Sequence, residues 1–190
     1  MLKATINDRS VVIALLCRAF DSNPSVNYII PQDTRRKERI AQLMAYSFDL
    51  CLRFGEVYLT ADKGACALVL FPDQKKTSLR TIWLDLKFVL KGISIWRVGK
   101  VLKREAAIAA CYPATPIYYL WFIGVEPQQQ HVGTGGQLLR KLMAAANGMK
   151  RPIYLETSVP GNVSWYERNG FEVYQELSFS QQLYMMRKVV

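Results

Sequence analysis

The chain has 190 residues, of which 51% are apolar and 21% charged, and this suits one compact domain (1–190) with a sizeable core. Its net charge of +10 makes acidic partners worth weighing, while a single histidine, His131, excludes His-rich metal centres and Ser/His/Asp triads. Cys17, Cys51, Cys66 and Cys111 include no Cys-x-x-Cys pair and read as small apolar residues. No apolar run reaches the roughly 18 residues of a membrane span, and MLKATINDRS lacks the apolar core of a signal peptide, so a cytoplasmic protein with no membrane span is expected.

Leu2 to Ile6 reads as a short first strand. Asp8 then caps a helix whose apolar face is Val12, Leu15, Leu16 and Phe20, closed by a turn at Ser22-Asn23-Pro24. The spacing of Ile40, Leu43, Met44, Phe48 and Leu52 predicts a second helix over 34–54, ended by Gly55. Its first turn carries Arg35, Arg36 and Lys37, which oppose the helix dipole and read as a solvated face. Glu56–Ala61 and Ala65–Phe71 form a hairpin whose Asp62-Lys63-Gly64 turn suits a positive φ. The second of these strands is apolar throughout, as a central strand covered on both faces would be.

Residues 77–110 form a helical segment divided near Gly92 and Gly99, with Leu79, Ile82, Trp83, Leu86, Val89, Leu90 and Ile93 at helix spacing. The window 75–104 holds nine basic residues against Asp85 alone. A helical cover over the sheet with a solvated basic face is the plain reading. An anionic membrane or a nucleic acid is the alternative.

Tyr118 to Gly148, YYLWFIGVEPQQQHVGTGGQLLRKLMAAANG, runs from an apolar strand through a polar turn and a glycine cluster into an amphipathic helix. Glycines that lead into a helix N-terminus make an anion site, because unpaired N–H groups gather there. The nucleotide P-loop spacing is absent, and Gly92 to Lys100 does not supply it. The dinucleotide fingerprint fails too: Leu138 stands where its third glycine belongs, and the strand ends about eight residues before Gly133, too far for a tight strand-to-helix turn.

What remains is Gln130-His131-Val132-Gly133-Thr134-Gly135, the pattern Gln/Arg-x-x-Gly-x-Gly/Ala. This stretch resembles the acyl-CoA-binding core of the GNAT superfamily of N-acetyltransferases. The likeness continues in PIYLETSVPGNVSWYERNGF, Pro152 to Phe171, which is similar to the family's fifth strand and the helix after it. The resembling core covers about 118–171, with the 77–110 segment as an insert before strand four.

The resemblance implies a mixed α/β fold, with a mostly antiparallel central sheet flanked by helices and the insert between strands three and four. It implies acetyl-CoA as cofactor, a small primary amine as acceptor, no nucleic acid partner, and a homodimer as the assembly frequent in the family. Backbone groups of Val132, Gly133, Thr134, Gly135, Gly136 and Gln137 would cradle the diphosphate, and Gln130, His131 and Thr134 would add side chains. Ile123, Gly124 and Val125 would meet the pantetheine arm between splayed strands four and five. Tyr166, beside Trp165, matches the family's general acid, although a core tyrosine has the same composition. Glu156 on strand five or Glu126 at the end of strand four would be the base, either directly or through water. Val159 stands where many members carry a CoA-contacting asparagine, and Asn162 either contacts the cofactor or caps the helix. Tyr28, Ile29 and Ile30 would wall the acceptor site or serve the core, and the insert would roof it. Glu172–Leu177 and Leu183–Lys188 read as a closing hairpin on the acceptor side. A non-catalytic acyl-CoA sensor and a protein N-acetyltransferase are the alternatives.

Overall fold

In the computed structural model, described over residues 1–189, alternation of apolar side chains builds one seven-stranded sheet. Its strands are β1 (Leu2–Lys3), β2 (Gly55–Leu59), β3 (Ala65–Leu70), β4 (Tyr118–Val125), β5 (Ile153–Thr157), β6 (Glu172–Ser178) and β7 (Gln182–Lys188). Their order is β1-β2-β3-β4-β5-β7-β6, and only the β4–β5 pairing is parallel. The mixed, mostly antiparallel sheet expected from the sequence is therefore the one formed.

Alternate residues of the central strands feed two cores. On one face, Cys66, Leu68 and Leu70 pack with α1 (Arg9–Ala19) and α3 (Arg36–Phe54). On the other, Ala65, Ala67 and Val69 pack under α6 (Thr134–Gly148), whose Leu138, Leu139 and Leu142 are fully buried. Each such leucine contributes about 1.5–3 kcal/mol. β3 is buried at all six positions, as its unbroken apolar run requires.

Several local expectations are refined. Asp8 does not cap α1. It closes a capping box with Thr5 around a short 3-10 turn, Ile6–Asp8, that precedes the helix. Asn23 caps the short α2 (Pro24–Ile29) within the predicted turn. The hairpin turn puts its positive φ on Lys63, while Gly64 is held free of a Cβ by the Gln129 side chain packed against it. Arg36 is not solvated. It reaches Asp21 at 2.6 Å and Asn27 at 2.9 Å, and so ties α3 to the loop beside α2.

The largest difference lies in the insert. It comprises α4 (Leu79–Phe88), a wide turn at Val89–Ile93, a 3-10 turn at Ile95–Arg97 and α5 (Val98–Ala110). The break falls at Ser94 (φ 71°), between the two predicted glycines. The stripe Leu79, Ile82, Trp83, Leu86 and Leu90, expected to pack inward, points to solvent. Thr81 and Phe88 face the protein instead, and Asp85 accepts a hydrogen bond from Tyr46 Oη at 2.7 Å.

Candidate active site

β4 and β5 pair at only two positions, Tyr118 with Ile153 and Tyr119 with Tyr154, and then part. The cause is visible in the next pairing. Against β3, Phe122 sits opposite Leu68 and Leu120 opposite Val69, so Trp121 is an extra residue. This bulge bends β4 and flips its alternation. Tyr119 and Phe122 lie on one face, while Tyr118, Leu120, Ile123 and Val125 lie on the other. Beyond the fork, β4 has lost its β5 partner over Leu120 to Val125. Gly124 lets α1 come close there: a Cβ would stand 3.0 Å from Leu16 Cδ2 and 3.3 Å from Ala19 Cβ.

The loop after β4 is shaped for an anion. His131 (φ 64°) and Gly133 (φ 93°) both take left-handed conformations, and Gly133 is the N-cap of α6. The Gly133 carbonyl accepts from Gln137 N at 3.0 Å. The amides of Thr134, Gly135 and Gly136 precede that first helical hydrogen bond and stay available at the positive end of the helix dipole. A Cβ at Gly135 would meet Val125 Cγ2 at 3.4 Å and Trp165 Cζ2 at 3.7 Å, which packs the start of α6 against both β4 and α7 (Pro160–Glu167). Gln130 Nε2 donates to the Val125 carbonyl at 3.1 Å and so holds the loop to the strand end.

Fork and loop open into one cavity of about 1250 Å³. Of the residues singled out from sequence, Ile123, Gly124, Val125, Gln130, His131, Gly133, Gly135, Gly136, Glu156, Asn162, Trp165 and Tyr166 line it. Val132, Thr134, Gln137 and Glu126 do not, and Val132 points into solvent. Val159 takes the N-cap position of α7, so Asn162 sits inside its first turn and does not cap the helix. Ile29 reaches the cavity and Ile30 is core, whereas Tyr28 packs on Phe179 beneath Lys100 Nζ.

Glu156 is held by two phenols: Tyr119 Oη donates to Oε1 at 2.7 Å and Tyr112 Oη to Oε2 at 3.2 Å. Burial raises its pKa above the ordinary value of 4.5, opposed by the charge of Arg104 and by the phenol hydrogen bonds. Tyr166 is buried among Trp165 and Phe171, and its phenol is pushed up by desolvation and then by the charge of Glu156. It therefore stays protonated across the neutral range. Glu126 has another setting. Arg18 grips it with both ends of its guanidinium, Nε at 2.9 Å from Oε2, and lowers its pKa.

Three residues that sequence reasoning did not single out complete this environment. Arg104 is buried from the basic insert, beside Glu105 at 2.6 Å, and Tyr112 and Tyr119 hold the carboxylate. For Arg104 a signal existed: Val101, Arg104 and Ile108 share the buried stripe of α5. Part of the remaining wall is an aromatic series. Phe88 stacks on Tyr46 at 4.6 Å, Tyr46 meets Trp121 edge-on at 6.3 Å, and Trp121 stacks with Tyr119 at 6.2 Å, ending at Glu156. Asp85 and Glu105 also line the cavity.

The family model described as an acetyltransferase (GNAT) domain matches residues 92–173, the stretch from the insert through α7. Solved structures share the whole fold. One, from Corynebacterium glutamicum, is described as histone acetyltransferase HPA2 and related acetyltransferase; it has a TM-score of 0.71 at 20% identity, covering 99% of this chain and 94% of that one. Arylalkylamine N-acetyltransferase 2 from Aedes aegypti aligns with a TM-score of 0.66 at 15% identity over 99% and 97% of the two chains. A Drosophila melanogaster polyamine N-acetyltransferase that forms N-acetylagmatine aligns with a TM-score of 0.60 at 13% identity over 99% and 98%.

Proposed function

We propose, from the match of residues 92–173 to the model of a GNAT acetyltransferase domain, that this protein moves an acetyl group from acetyl-CoA to the primary amine of a small aromatic or apolar acceptor. The observation that carries the reading is the β4–β5 fork, which runs from the open amides of α6 to Glu156 and Tyr166 within one cavity. A ligand pocket is typically 300–1,000 Å³, so a cavity of about 1250 Å³ has room for a long cofactor arm and an acceptor together.

Acetyl-CoA supplies the thioester whose C–S bond breaks as the C–N bond to the amine forms. The amides of Thr134, Gly135 and Gly136 would bind its diphosphate at the positive end of the helix dipole. The unpaired edge of β4 at Ile123 to Val125 takes the pantetheine arm and offers N–H groups to the carbonyl oxygen, an interaction typically worth about 2.7–4 kcal/mol. Glu156 accepts the proton that the amine gives up, and its raised pKa brings it nearer the working pH of a general base. Tyr166, protonated at the outset, would donate a hydrogen bond to the departing sulfur and pass it the phenolic proton, which the proton taken up by Glu156 would then replace through solvent. Glu126, paired with Arg18 off the cavity wall, has no part in this scheme. The aromatic series Phe88, Tyr46, Trp121 and Tyr119, with Asp85 and Glu105 nearby, suits an aromatic body that carries an ammonium group. The likeness to an arylalkylamine N-acetyltransferase points the same way.

The test is release of free CoA thiol from acetyl-CoA with a panel of arylalkylamines, polyamines, aminoglycosides and peptide N-termini. Arylalkylamines should turn over with the highest kcat/KM. Turnover confined to peptides would assign a protein substrate. Tight CoA binding without thiol release from any amine would make the chain an acyl-CoA sensor.

A further inference from the structure

The outer face of the insert is built for a surface rather than for the core. On α4 the exposed residues Leu79, Ile82, Trp83 and Leu86 follow i, i+3, i+4 and i+7 spacing, the pattern of an apolar helix face, and Leu90 in the wide turn after it is exposed too. Leu79 is 88% exposed and Trp83 58%. Just past the Ser94 break, Ile95 and Trp96 are exposed as well, Trp96 at 95%. None of these side chains lines the cavity. At 100° per residue, Arg80 and Lys87 fall together along one flank of the stripe, with Lys91 in the turn just beyond, and Lys87 Nζ sits 5.2 Å from the Trp83 ring. The one acidic residue of the window, Asp85, lies on the opposite side and bonds to Tyr46.

We propose that this face docks the protein on an anionic lipid surface, with Leu79, Ile82, Trp83, Leu86, Leu90 and Trp96 entering the headgroup layer and the flanking cations meeting lipid phosphates. Charge selects this occupant. A second copy packed antiparallel on the same face by a two-fold axis would bring Arg80, Lys87 and Lys91 against their own like charges. A nucleic acid would draw on the cations but leave the exposed Leu79, Ile82, Trp83 and Leu86 of α4 in water. An anionic bilayer interface satisfies both sets, since indole rings prefer the headgroup level and lysine or arginine stems reach up to the phosphates. The inner faces of α4 and α5 wall the cavity, so the docked insert would hold the site close to the lipid surface.

The full-length protein is mixed with vesicles of phosphatidylcholine alone or with phosphatidylglycerol added, and read by co-sedimentation and tryptophan emission. The expected result is binding to the anionic vesicles only, with a blue-shifted emission and weakening as salt rises. The double variant Leu79→Glu/Trp96→Glu should lower partitioning by roughly tenfold or more, with circular dichroism and the thermal midpoint unchanged. Lys87→Glu should lower it with the apolar stripe intact. Absence of binding to anionic vesicles at low salt overturns the proposal. So does a dimer that Trp96→Glu converts to monomer, which would give the face to a second copy. Retention on duplex DNA without vesicle binding overturns it equally.

Discussion

Glu156 and Tyr166 share one environment, and their protonation follows from it. Desolvation disfavours the charged carboxylate, so the folded-state pKa of Glu156 lies above its ordinary value. A base must be deprotonated to act, and the acid limb of kcat/KM should therefore fall at a pH above that of a free glutamate. Glu156→Gln should lower kcat/KM by roughly 10²–10⁴-fold and remove that limb. The linked stability effect has the opposite sign to that of a paired carboxylate: the raised pKa means that Glu156 favours the folded state below its unfolded pKa and loses that contribution as pH rises. Glu126 runs the other way, because Arg18 lowers its pKa, and its contribution is lost as pH falls. Tyr166→Phe should reduce kcat on the order of 10²-fold while CoA binding, read by calorimetry, is unchanged, because only the proton at sulfur is removed.

At the scale of elements, the loop into α6 was the most legible part of the chain. Its glycine spacing and its distance from the strand end separated it from the P-loop and the dinucleotide fingerprint, and Gly133 stands at the left-handed N-cap. Gly133→Ala should destabilise the fold by about 1–2 kcal/mol through its φ of 93°, and should weaken CoA binding more than it lowers kcat, as titration calorimetry and steady-state kinetics would show. The bulge at Trp121 was not legible. The strand YYLWFIGV is apolar at almost every position, so no alternation betrays where its parity flips. The insert misled for a related reason. Periodicity says which residues share a face but not which way the face looks, and α4 packs inward with Thr81 and Phe88 while its apolar stripe looks out. The cradle around Glu156 was hidden because Arg104, Tyr112 and Tyr119 come from three separate elements that only the fold brings together.

Taken whole, the molecule is two half-sheets, β1 to β4 and β5-β7-β6, joined by two residue pairs at the closed end of the fork. CoA at about 100 times its dissociation constant should stabilise the native state by roughly 2.7 kcal/mol and raise the unfolding midpoint by on the order of 5–10 °C, as scanning fluorimetry would read. A ligand lying in the fork occupies the place of a missing strand pairing. Its effect on hydrogen exchange should then concentrate on amides of β4 beyond Leu120 and of β5 near Glu156, with little change in the already protected β2–β3 hairpin. The fork thus behaves as an open seam: Glu156 and the unpaired edge of β4 belong to opposite sides of it, and past the two closing pairs the hydrogen bond from Tyr119 to Glu156 is a stitch across it.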